Sequence, residues 1–291
     1  MKAIISTTYS NTYLYFLPIV TFCWNKLGVD VICFMPSGRT TIKNGRNILQ
    51  GVYPDGNKKM YLINETIKKN KGNLSIHCFS APEHKEATYA QCSRLYGACL
   101  DLPEDEVLIT GDVDMAFFSQ EWVNRFGNLY HPIIFGADLV PDGQYPMCYA
   151  AMTVKQWRMV TKSQGKTYQQ CLDEELGDLD SLHFRGNFWS RDQELLYNKL
   201  NGCFQVSYPA PIPKVLENRA RQGTQFADKR YDRDDSYILD RLSPDTIDFH
   251  MNRPGYEEKN FEIILTILKY HYPDENFDWL ISYTNAYREL L

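Results

Sequence analysis

Val107-Leu108-Ile109-Thr110-Gly111-Asp112-Val113-Asp114-Met115-Ala116-Phe117-Phe118 decides how this chain is read. Its apolar start predicts a strand passing through a core, and the strand ends on two carboxylates one residue apart. Open α/β sheets bind ligands at the carboxyl ends of their strands. Two carboxylates there make a hard, oxygen-rich site for a divalent cation, which commonly carries substrate phosphates. The same spacing recurs at Asp178-Leu179-Asp180 and Asp232-Arg233-Asp234, but neither follows a strand-like run. Spacing alone describes a solvated turn. The preceding strand is what singles out Asp112 and Asp114.

Working outward, residues 2–6, 29–35, 74–79 and 107–110 read as strands. Helical patterns at 14–27, 59–69 and 85–99 separate them. The continuous apolar run at 29–35 is the mark of a strand buried on both faces. This alternation predicts a parallel sheet built from right-handed crossovers. Beyond Asp114 the rhythm changes. Strands are expected at 133–137 and 148–154, around the turn-rich Val140-Pro141-Asp142-Gly143-Gln144. Helices are expected at 155–162, 169–176 and 192–200, then at 257–270 and 277–290 on either side of Tyr272-Pro273. The charged stretch 218–236 reads as a mobile loop. With no internal repeat or low-complexity linker, the expected fold class is α/β, a single domain over 1–291 with a central, mainly parallel mixed sheet flanked by helices.

A hydrophobic share of 44% supports a substantial core. Aromatics, at 14%, suit sugar or base stacking and core packing equally. A net charge of −5 argues against a general nucleic-acid binder, which needs a basic footprint. The eight cysteines contain no C-x-x-C pair and lie mostly in apolar runs. They read as reduced core residues of a cytosolic protein rather than a disulfide or zinc framework. Residues 13–24 are apolar but contain Pro18 and lack a small-residue cleavage site, so a buried helix explains them better than a signal peptide. No stretch has the length of a transmembrane segment. The expected localisation is cytoplasmic.

Five segments together resemble the GT-A glycosyltransferases, in particular the glycogenin-like and galactosyltransferase-like enzymes. Residues 89–95 with Asp101-Leu102-Pro103 resemble the helix and loop ahead of the family's metal motif, with Arg94 at its basic position. Residues 107–114 resemble the metal strand. Tyr149-Ala150-Ala151-Met152-Thr153 resembles the strand lining the donor sugar, although the family often has Asn-Ser/Ala-Gly there. Asp192-Gln193-Glu194 resembles the Asp-Gln motif at a helix start, and His250-Met251-Asn252-Arg253-Pro254-Gly255 the C-terminal His loop. The compact build also resembles the glycosyltransferases of large algal viruses. The resemblance implies a nucleotide-sugar-binding half at 1–115, an acceptor half with a metal and phosphate loop at 116–255, and C-terminal helices at 256–291.

It implies Mn²⁺ or Mg²⁺ held by Asp112, Asp114 and His250, an O/N donor set that suits Mn²⁺. Thr7, Thr8 and Tyr9 would meet the nucleobase, and Arg94, Asp112, Ala150 and Ala151 the donor. Arg253 would grip phosphate, with Gly255 permitting close backbone approach. Asp192, or else Glu194, would act as the base on the acceptor hydroxyl, which slightly favours inversion; a capping role alone explains an Asp at a helix start equally well. Trp189 is a candidate for stacking on the acceptor sugar. The expected partners are a UDP-sugar donor and a glycan or glycoprotein acceptor. Two rival readings stand beside this one: a sugar-nucleotide nucleotidyltransferase, and a non-catalytic carbohydrate-binding protein on the same fold.

Overall fold

The computed structural model describes residues 1–37, 40–43, 46–49, 54–82, 85–127, 129–137, 140–177, 190–206, 215–217, 230–233 and 238–291, with backbone alone at 40–43, 46–49, 54–57, 203–206 and 215–217. Strand β1 (Lys2–Ser6) leads through a short turn of helix, α1 (Asn11–Leu14), to α2 (Leu17–Lys26). Helix α2 starts at Leu17 rather than at residue 14 because Pro18 sits in its first turn, where its missing N–H costs nothing. There follow β2 (Asp30–Pro36), the hairpin β3 (Thr40–Lys43) and β4 (Arg46–Leu49), α3 (Pro54–Lys69) and β5 (Leu74–Phe79). Helix α4 (Glu86–Ser93) continues into a 3₁₀ segment at Arg94–Cys99, so the single helix expected over 85–99 tightens halfway. Strands β6 (Val107–Thr110) and β7 (Met115–Phe117) flank the two carboxylates. The remainder is α5 (Gln120–Phe126), β8 (Ile133–Phe135), β9 (Ala150–Thr153), α6 (Val154–Thr161), α7 (Tyr168–Leu176), α8 (Arg191–Val206), β10 (Val215–Glu217), β11 (Arg230–Tyr231), β12 (Asp248–His250), α9 (Glu258–His271) and α10 (Asp278–Arg288).

The main sheet has seven strands in the order β10-β8-β9-β6-β1-β2-β5. Only β9 runs against its neighbours β6 and β8; the other pairings are parallel. The expectation of a mainly parallel mixed sheet is therefore met. Its central strands are apolar on both faces. Ala3, Ile5, Val31, Cys33, Val107 and Ile109 face one hydrophobic cluster, with residues of α2, α9 and α10. Ile4, Ile32, Phe34, Leu108 and Met152 face the other, with residues of α4, α6, α7 and α8. Period-2 alternation thus distributes side chains between two cores rather than between core and water.

Much of the aromatic excess lies in this packing. Tyr15, Tyr283 and Tyr287 are buried together. The Tyr15 hydroxyl bonds Thr284 at 2.8 Å, Tyr283 donates to the Tyr15 carbonyl at 2.9 Å, and Tyr287 donates to the Asn11 carbonyl at 2.9 Å. Helix α10 is thereby fastened onto the segment that leads from β1. At the end of α9, His271 stacks on Phe118 with ring centroids 4.0 Å apart. Burial holds its imidazole at about 4, against an ordinary 6.5, and Nε2 has no hydrogen-bond partner among the described residues.

Because the unfolded chain binds this proton more readily, the contribution of neutral His271 is complete above about pH 6.5 and is lost as pH falls toward 4. With a discount for the part of the ring that water reaches, wild type is expected to lose about 1 kcal/mol more than His271→Phe between pH 7 and pH 5. Urea unfolding of both proteins at the two pH values checks this; equal losses would remove the assignment.

A second, three-stranded sheet was not expected from the sequence: β11-β12-β7, with β12 antiparallel to β7 and β11 parallel to β12. The β3–β4 hairpin was also missed, although Asn44-Gly45 between two β-rich runs is a hairpin signal. Among the described residues no helix is long and apolar enough to cross a membrane. Their cysteines are free; Cys23, Cys33, Cys92 and Cys171 are buried, whereas Cys78 is exposed. Most of the charged stretch 218–236, the second Asp-x-Asp at 178–180 and Trp189 lie outside the described residues.

Candidate functional site

Strand β1 lies between β2 and β6, with the chain crossing to β2 on one side and later to β6 on the other. This reversal leaves a crevice at the carboxyl ends of β1 and β6. Thr7 and Thr8 leave β1 there, and Asp112 and Asp114 leave β6. Pairing of β12 with β7 sets His250 opposite Met115, and the Met251 N–H donates to the Asp114 carbonyl at 2.8 Å. The segment from His250 to Arg253 is thus laid along the carboxylates from a position well over a hundred residues away. The resulting cleft of about 290 Å³ is lined by Ser6, Thr7, Thr8, Tyr13, Ala87, Ala90, Gln91, Arg94, Asp112, Val113, Asp114, Asp192, Gln193, Arg233, His250 and Arg253.

Arg94 organises one wall. Its side chain is 7% exposed and bridges Asp112 and Asp192, the latter at 2.5 Å, while Nη1 also donates to the Gly111 carbonyl at 2.9 Å. Burial works to raise the Asp112 pKa, but the Arg94 guanidinium, helped by His250 and Arg230, brings it below the ordinary carboxylate value. Burial pushes Asp192 up, and its pairing with Arg94 offsets only part of that. Asp192 lies within the first turn of α8 and accepts from the adjacent Gln193 N–H at 2.9 Å, one of the free amides at the helix start.

The opposite wall is built around Asp114, whose side chain is 6% exposed. Its Oδ2 lies 3.3 Å from Arg253 Nε, 3.3 Å from His250 Nε2 and 3.6 Å from Arg233 Nη1. Arg253 also donates to the Tyr13 hydroxyl and lies over the Tyr13 ring. His250 Nε2 is 2.9 Å from Arg233 Nη1, which can only donate; the neutral ring accepts there, and the protonated ring turns its N–H to Asp114. Burial opposes charge on His250, but hydrogen bonding to Asp114 and the fields of Asp114, Asp112 and Asp232 outweigh it and raise its pKa.

Two carboxylates and an imidazole on one cleft fit a divalent cation by donor chemistry. Among the described residues, however, no group of three or more His, Cys, Asp or Glu side chains converges as a ready metal cage. Asp112 instead faces Arg94, and Asp114 faces arginines.

The structure brings together Thr7, Thr8, Arg94, Asp112, Asp114, Asp192, His250 and Arg253, but not every expected residue. Ala150 and Ala151 do not face the cleft. Both are fully buried in β9, between β6 and β8, one directed into each hydrophobic cluster. Glu194 sits two residues past Asp192, bonded to Ser190 at 3.2 Å and paired with Arg191 at 3.7 Å, and is absent from the lining. Tyr9 packs against the core edge and likewise does not line the cleft.

Gly255 is required by packing: a Cβ there would lie 2.5 Å from a Phe16 ring carbon and 2.8 Å from one of Tyr15. Gly255→Ala is therefore expected to cost about 1–3 kcal/mol by overpacking, visible as a lowered urea midpoint. An unchanged midpoint would contradict the crowding. The sequence reading missed Tyr13, Gln91, Gln193 and Arg233. Gln91 and Gln193 lie inside segments that resemble the family, and Arg233 inside an Asp-x-Asp, whereas Tyr13 left no local trace.

No protein-family model matches the sequence, and no curated protein does. Among solved structures, the galactosyltransferase LgtC, in complex with donor and acceptor sugar analogs, superposes with a TM-score of 0.51 at 10% identity, covering 92% of this chain and 95% of that one. The glycosyltransferase GlyE of Streptococcus pneumoniae TIGR4 reaches 0.49 at 11% identity, covering 98% of this chain and 63% of that one. A glycosyltransferase involved in glycosylation of the major capsid of PBCV-1 reaches 0.37 at 10% identity, over 91% of this chain and all of that one. The first of these likenesses establishes the fold: the chain has the GT-A-like architecture of LgtC, as its motifs implied.

Proposed function

We propose that this chain is a metal-dependent glycosyltransferase that moves a sugar from a nucleotide diphosphate, of which UDP is favoured, to a hydroxyl of a glycan or glycoprotein acceptor. One observation carries the reading. At the switch point of an LgtC-like sheet, Asp112 and Asp114 share a cleft with His250, Arg253 and Arg94. Asp112, Asp114 and His250 would hold Mn²⁺ or Mg²⁺, which when bound neutralises the leaving diphosphate as a Lewis acid. Thr7 and Thr8, at the end of β1, would meet the base. Arg253, held by Tyr13, would grip phosphate bidentately. Arg94 holds Asp112 and Asp192 apart and in register.

Asp192 lines the cleft, and its raised pKa suits a carboxylate that takes the acceptor proton, so we favour inversion. The anomeric configuration of the product, read by NMR, distinguishes inversion from retention. The donor class is tested by thermal shift with UDP-, GDP-, CMP- and dTDP-sugars, each with and without Mn²⁺. A ligand that binds only the native state raises the melting temperature by mass action. One nucleotide family should stabilise the protein in a metal-dependent way. Stabilisation by free sugars alone would favour a carbohydrate-binding protein, and no shift with any sugar nucleotide would overturn the transferase reading.

A further inference from the structure

The cleft holds three arginines, and they are committed to different degrees. Arg94 is enclosed by two carboxylates and a carbonyl. Arg253 is held by Tyr13 and Asp114. Arg233 is the odd one: 28% exposed, 3.6 Å from Asp114, and 2.9 Å from an imidazole that gives a guanidinium no counter-charge when neutral. Arg233 reaches the cleft because β11, a strand of only two residues, is docked on β12. So short a strand has little backbone pairing to hold it.

What holds it is a buried ion pair. Arg230 stands opposite Asp248 in the register, and Arg230 Nε donates to Asp248 Oδ1 at 2.7 Å. Asp248 is fully buried, and its other oxygen accepts from the Tyr149 hydroxyl at 2.8 Å. Beyond the strand, Asn252 Nδ2 donates to the Arg233 carbonyl at 3.0 Å. A buried ion pair returns little net stability against its desolvation cost, and its best-attested use is to specify register. Here the register it specifies is the one that puts Arg233 at the mouth of the carboxylate site.

We propose that Arg233 is a diphosphate-binding side chain of the donor site, delivered by the Arg230–Asp248 clasp, and that it supplies selectivity for nucleoside diphosphates over nucleosides. This rests on the nucleotide-sugar reading above. A planar guanidinium with five donors matches two phosphate oxygens at once. Were Asp114 to hold a divalent cation, Arg233 would be released from its carboxylate partner and its guanidinium would be available to phosphate oxygens. Arg233 is then a binding residue; Arg230 and Asp248 are positioning residues, two steps from any ligand atom.

The test is calorimetric titration of UDP, GDP and uridine, each with and without Mn²⁺, into wild type, Arg233→Ala, Arg233→Lys, Arg230→Gln and Asp248→Asn. Wild type should bind one diphosphate. Arg233→Ala should weaken it at least tenfold and leave uridine within twofold, and Arg233→Lys should recover part of the loss. Arg230→Gln and Asp248→Asn should show the same selective loss, which a general loosening of the fold would not produce. Arg233 lies on the surface of the cleft, so its variants test the proposal even where Asp248→Asn is too unstable to titrate. If wild type binds UDP or GDP and Arg233→Ala binds it equally well, the assignment of Arg233 falls and the transferase reading stands. If wild type binds neither diphosphate, both fall.

Discussion

Asp114→Ala is expected to lower sugar transfer by about 10³-fold or more while leaving the protein folded. Lewis-acid stabilisation of a leaving diphosphate amounts to several kcal/mol, and each 1.36 kcal/mol is a factor of about ten in rate. On the proposed reading Asp114 is a principal cation ligand, and its loss removes most of that. The fold should survive because the groups that Asp114 faces, Arg233, His250 and Arg253, are each 20–28% exposed and can turn to water. The melting temperature is expected to move by only a few degrees, since part-exposed ion pairs contribute about 0–1 kcal/mol. The measurement is the transfer rate with the donor found by thermal shift, at saturating Mn²⁺, beside the unfolding curve. A variant that retains metal-stimulated transfer would remove Asp114 from the site.

Arg94→Met should have the largest effect on stability. It leaves the fully enclosed Asp192 without its cation and takes from Asp112 the partner that depresses its pKa. Breaking a buried pair on one side costs about 3–5 kcal/mol, because a charge remains buried and uncompensated. For a chain of this size that is roughly 10 °C in melting temperature, at about 2–4 °C per kcal/mol. Arg94→Lys is not a rescue, since one ammonium cannot span both carboxylates and the Gly111 carbonyl. With Arg94 gone, Asp112 and Asp192 repel each other and one of them takes up a proton. The destabilisation of Arg94→Met should therefore shrink in Arg94→Met/Asp192→Asn. Equal melting temperatures for wild type and Arg94→Met would show that the pair contributes nothing.

Every strand of the main sheet except β10 was legible, because its signal is local. A run such as residues 107–110 or 29–35 states its own periodicity and burial, and Asp112 and Asp114 follow directly at a strand end. Apart from the local β3–β4 hairpin, the missed strands are those whose existence depends on a distant partner. Strands β7 and β12 are three residues each and β11 two, too short for a periodic pattern, and they form because they pair with one another. The site residues divide in the same way. Thr7, Asp112, Asp114, His250 and Arg253 could be named from motifs, but which of them meet could not.

Burial gives several residues named from the family likeness a packing role. Ala150 and Ala151 match a donor-lining strand in sequence, yet β9 lies inside the sheet and both methyl groups are spent on core packing. Gly255 read as a phosphate-approach glycine, whereas Phe16 and Tyr15 occupy the space a Cβ would need. By itself the sequence determined the α/β class, the parallel half of the sheet and the two carboxylates at the end of β6, because apolar period and strand ends are properties of consecutive residues. Only the tertiary structure decided that Arg94 bridges Asp112 to Asp192, that Arg233 joins Arg253 and His250 at Asp114, and that β9 stays in the core. Those facts depend on side chains well over a hundred residues apart at their furthest being brought within a few ångströms, and such pairings are set by the packing of whole elements.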